Sequence, residues 1–89
     1  MNITYTPQNI EQEVKRFEDR IRETCDGLLS RVDFREAYDH LHRRLFVVSL
    51  VNTWRNGTMD INVTPDESAI DVGNRAHKAA GELIQTSGG

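Results

Sequence analysis

The chain has 89 residues, 28 % of them charged, with 11 Lys/Arg against 14 Asp/Glu and a formal net charge of −3. That leaves room for one domain with a modest core, gives the wrong sign for a general nucleic-acid binder, and, with Cys25 the only cysteine, excludes an intrachain disulfide. The expectation is a cytoplasmic protein: the start MNITYTPQNIEQE has neither a basic nor an apolar run, and no stretch nears the roughly 20 apolar residues of a membrane span.

Thr6-Pro7 reads as a helix start, with Thr as N-cap and Pro at the first helical position, where a missing N–H costs nothing. Ile10, Val14, Phe17, Ile21, Cys25 and Leu28 then recur at spacings of four and three, a single apolar stripe that predicts a helix over residues 7–29. Glu11 four before Lys15 and Glu18 four before Arg22 place ion pairs on the opposite, solvated side.

Asp33 followed by Glu36 fits a capping box, and Phe34, Tyr38, Leu41, Leu45 and Val48 carry helical spacing into an apolar centre, Leu45 to Val51. A second helix over 33–55 is expected, apolar on all sides at its middle. The alternative is a β-hairpin over 45–63, because Val47, Val48 and Val51 are β-branched, Asn56-Gly57 is a hairpin turn, and Met59 to Val63 alternates with period two. The 3.6-residue pattern running unbroken from Phe34 favours the helix.

Thr64-Pro65-Asp66-Glu67 combines N-cap, Pro at N1 and capping-box Glu, so a third helix is expected over 65–85, with a small-residue face of Ala69, Val72, Gly73, Ala76, Ala79 and Ala80. Residues 86–89 form a frayed tail. The expected fold class is all-α, a single-domain three-helix bundle spanning 1–89, paired as a homodimer because the centre of the second helix leaves apolar surface uncovered.

No constellation specifies a reaction, so the chain is read as a non-enzyme without cofactor or metal. His40 and His42 lie about 200° apart on a helix and only Glu36 shares a side with His40, too few ligands for one ion. Cys25 belongs to the apolar stripe, the place of a small buried hydrophobe rather than a nucleophile. The function expected is macromolecular binding by an adaptor, regulator or inhibitor, such as phages encode, with a protein partner, no membrane and no nucleic acid. Phe46, Val47, Leu50, Val51 and Trp54 are its candidate interface. The alternative is a receptor for a small anion or nucleotide, built on Arg43, Arg44, Arg75 and Lys78.

Overall fold

The computed structural model describes residues 1–87, and of Thr86 and Ser87 the backbone only. Four strands and two helices follow one another in the chain: β1 (Asn2–Thr6), α1 (Glu11–Thr24), β2 (Arg31–Tyr38), β3 (Arg44–Asn52), β4 (Gly57–Val63) and α2 (Ala69–Ser87). The strands form one mixed sheet in the order β1-β2-β3-β4, β1 parallel to β2 and the rest antiparallel. This α+β architecture overturns the expected all-α three-helix bundle.

The second helix does not exist. Its segment is the β2–β3 hairpin, and residues 45–63 are the β3–β4 hairpin that the helical spacing had outweighed. The physical reason is the core's geometry. Val32 and Phe34 of β2 and Phe46, Val48 and Leu50 of β3 all share one parity, and period two sends them to the face that the helices cover. The other parity of β3, Leu45, Val47, Ser49 and Val51, faces away, so an apolar run that looked all-round on a helix is a central strand. The dimer was expected in order to cover that helix, and this premise disappears with it. A single copy exposes 5393 Å², close to the roughly 5,300 Å² typical of a folded monomer of this mass.

The first helix is shorter than expected at both ends. Pro7 follows a cis peptide bond and precedes a 3₁₀ turn, Gln8–Ile10, before α1 begins. At the other end the chain leaves the helix at Cys25 through Gly27, whose φ of 80° suits a residue without Cβ. The residues before Pro7 form β1, with Ile3 and Tyr5 packed on the core.

The third boundary also moves. Thr64 does not cap α2; the chain turns through 64–67, with the Glu67 side chain accepting the Thr64 N–H at 2.8 Å. Ser68 is the cap, its hydroxyl accepting the N–H groups of Ile70 (3.1 Å) and Asp71 (3.3 Å). Of the expected frayed tail, Thr86 and Ser87 continue α2, and Gly88-Gly89 lie outside the described residues.

Both helices lie on one face of the sheet and start at the same end of it. Arg16 donates to the carbonyls of Pro65 and Glu67, while Arg20 and Thr24, further down α1, meet Gly73 of α2, so the two run side by side in the same direction. Parallel macrodipoles repel, and Glu11, Glu13 and Asp71 in the first turns offset that. No helix among the described residues is long and apolar enough to cross a membrane.

Candidate functional site

The face of the sheet away from the helices is uncovered. Along it β3 presents Leu45, Val47, Ser49 and Val51, flanked in register by Ala37, Arg35, Asp33 and Arg31 of β2 and by Asn62, Asp60 and Thr58 of β4. The charges there are matched within the chain: Arg31 pairs with Asp33 at 3.1 Å and Arg35 reaches across β3 to Asp60 at 3.6 Å. Thr4 of β1 also donates to Asp33. The result is a strip of Leu45, Val47 and Val51, interrupted by Ser49 and bridged by the Arg35–Asp60 pair, with Leu45 and Val47 half-buried, Ser49 and Val51 buried, and no excess charge on its borders.

Trp54 stands at the end of that stripe, in the turn joining β3 to β4, and is 70 % exposed. The turn around it is fixed. Buried Asn52 donates to the Leu28 carbonyl (2.8 Å) and accepts the Arg55 N–H (2.9 Å). Ser30 accepts the Thr53 N–H (2.9 Å), and their hydroxyls lie 2.9 Å apart. Asn56, with φ of 55°, closes the turn by donating to the Thr53 carbonyl. Beside it a hollow of about 110 Å³ opens between Val51 and Thr58. A hydrogen-bonded turn thus holds out the chain's only Trp just past the end of β3.

The five residues of the candidate interface are divided by the fold. Phe46 and Leu50 are in this chain's own core, Val51 is largely shielded on the open face, Val47 is half-buried there, and Trp54 is exposed. What the sequence reading missed is parity: in a strand, Val47 and Val51 face opposite to Phe46 and Leu50.

The four candidate anion-binding residues are not assembled into one site. Arg44 is bonded to Glu13 of α1 and Glu36 of β2 and lies over the Phe46 ring, 5.0 Å from its centroid. Its guanidinium holds the Glu13 carboxyl below the usual range, and the two acids raise its own pKa further. Arg43 belongs to the β2–β3 turn: its N–H and Nε donate to Asp39, which also accepts the Leu41 N–H. Those bonds, the Arg43 N–H foremost, keep the Asp39 carboxyl below its ordinary value. A hollow of about 370 Å³ separates this turn from Thr64–Asp66, but its two guanidiniums already have acids. Arg75 is engaged by Glu67 and by the Asn62 carbonyl, and Lys78 is exposed on α2.

The remaining chemistry-bearing groups are placed as follows. His40 and His42 are exposed in the β2–β3 turn, and no group of three or more His, Cys, Asp or Glu among the described residues is arranged to hold a metal ion. Cys25 is buried at the end of α1, and burial pushes its thiol pKa up. Glu18, only 4 % exposed, accepts from Tyr5 and pairs with Arg22 at 3.2 Å, tying β1 to α1. Comparison with family models, with curated proteins and with solved structures found no match for this chain.

Proposed function

We propose that this protein is a non-enzymatic binding module that docks on a protein partner through the open face of its sheet, with Trp54 as the anchor. The observation that carries this reading is the exposure of Trp54 on a turn whose every neighbour is pinned. A preordered aromatic loses little conformational freedom on binding, and Trp is among the residues enriched at interface hot spots. Neutrality of the face favours a protein over a nucleic acid, which would require a surplus of Lys and Arg there. Regulation or inhibition by occupying a partner's surface is the mode of action that follows. The buried free thiol of Cys25 fits a reducing compartment such as the cytoplasm.

The test is affinity capture from the native source with wild type, Trp54→Ala and Val47→Asp as parallel baits, each first shown to be folded by circular dichroism. A partner held by wild type and lost from both variants is the expected outcome, and a cost of about 2 kcal/mol or more for Trp54→Ala corresponds to a hot spot. Equal recovery of the partner on all three baits would reject the open face.

A further inference from the structure

We propose that two copies of the chain associate about a two-fold axis by antiparallel pairing of β1 with β1, joining their sheets into one of eight strands. This goes beyond the partner-binding reading and does not depend on it, since the open face is not the surface used.

The argument starts from which backbone groups are spent. Asn2 donates its N–H to the Ser30 carbonyl, toward β2. Main-chain groups alternate along a strand, so Thr4 and Thr6 also face β2 and the N–H and C=O of Ile3 and Tyr5 point off the sheet. Nothing among the described residues pairs with them. The opposite edge is guarded. On β4 the outward groups belong to Thr58, Asp60 and Asn62, and there Arg75 covers the Asn62 carbonyl and puts a cation on the edge. Charged side chains on an edge are how sheets resist extension; β1, with the sequence NITYT, carries none of its own, and Arg22 of α1 reaches only the Met1 carbonyl ahead of the strand (3.4 Å).

The β1 edge is also self-complementary. With Thr4 on the axis, Ile3 faces Tyr5 of the second copy and Asn2 faces its Thr6, so Ile3 and Tyr5 of each copy gain main-chain partners. Ile3 and Tyr5 are half-buried on the helix side of the sheet, and an aromatic/β-branched cross-strand pair would cover their rims. The helix layer fits as well. At 100° per residue Glu11, Lys15, Asp19 and Arg22 lie on the flank of α1 away from α2. Along that flank Lys15 pairs with Asp19 at 3.1 Å and Arg22 with Glu18 at 3.2 Å within the chain, so its charges are balanced and do not repel a second α1 run antiparallel beside it. Eight strands at about 4.8 Å span about 38 Å, matching four helices at about 10 Å apiece, so the two α1 helices meet without a gap.

Cross-linking tests the axis. Residues that face each other on it form a non-hydrogen-bonded pair with Cα atoms about 4.5 Å apart, within disulfide range, whereas the two Asn2 residues are separated by about 14 Å. Thr4→Cys treated with diamide is expected to yield a covalent dimer and Asn2→Cys none, with native Cys25 silent because it is buried. Sedimentation tests the helix flank: Lys15→Glu should weaken association about tenfold, and adding Asp19→Lys should restore it. A wild type that stays monomeric up to about 1 mM overturns the proposal. So does equal cross-linking of Thr4→Cys and Asn2→Cys, or a dimer indifferent to Lys15→Glu.

Discussion

The guanidinium of Arg75 on α2 donates to the main-chain carbonyl of Asn62 on β4 and so closes one of the outward-facing acceptors of that edge. The same guanidinium bonds Glu67 in the turn before α2, fastening strand, turn and helix together. Arg75→Ala should cost about 1 kcal/mol in urea denaturation and increase light scattering on heating, because a bare carbonyl on an edge strand invites pairing. Unchanged stability and scattering would show that the contact contributes nothing.

The cap of α2 provides a contrast between two hydroxyls four residues apart. Ser68→Ala removes the acceptor for two first-turn N–H groups and should cost about 1 kcal/mol, whereas Thr64→Ala should leave the midpoint within about 0.5 kcal/mol of wild type. The reverse order would place the helix start at Thr64.

That displacement shows how the sequence was legible and where it was not. The stripe Ile10, Val14, Phe17, Ile21 and Cys25 points to a helix because no strand register brings those spacings to one side. Phe34 and Val48 satisfy both periods, since each is also of the parity that faces the helices, and local spacing cannot decide between them. Pairing partners far along the chain decided: Val48 is opposite Phe34 on one side and Ile61 on the other. Asp39 marks the β2–β3 turn by accepting the Leu41 and Arg43 N–H groups, a local Asx-type signal that the helical spacing masked. Trp54 was singled out as a candidate interface residue by its residue type and is exposed, but Phe46 and Leu50 were grouped with it because a helix would have put them on the surface.

Two glycines of α2 should respond oppositely to alanine. A Cβ on Gly73 would lie 2.4 Å from Cγ of Arg20, where α1 crosses, so Gly73→Ala should destabilise by about 1 to 3 kcal/mol. A Cβ on Gly81 would meet nothing within 4 Å beyond its own helix among the described residues, and Gly81→Ala should stabilise by about 0.5 to 1 kcal/mol through helix propensity. Chemical denaturation of the two variants checks both signs, and a stabilised Gly73→Ala would contradict the close helix approach.

Tyr5 should shape the alkaline limb of stability. Burial and the bond to the Glu18 carboxylate both favour the neutral phenol, raising its pKa well above the ordinary 10.0. A group raised in the folded state stabilises fully below its unfolded value and loses that contribution as pH climbs through the folded one, so wild type should weaken above about pH 10. Tyr5→Phe should be less stable at pH 7 by about 1 to 3 kcal/mol, since Glu18 loses a donor, and should show a flatter decline above pH 10. Parallel alkaline slopes for the two proteins would contradict this.

Docking of the open face on a partner is read most directly from the emission of Trp54, the only tryptophan in the chain. Exposed as it is, the indole should emit at long wavelength and be quenched freely by acrylamide in the isolated protein. Titration with the captured partner, its own tryptophans removed or replaced, should shift the emission to the blue and protect it from the quencher, saturating with the same midpoint as binding measured by mass. A partner that binds to saturation while Trp54 keeps its red emission and full quenching would contradict the account.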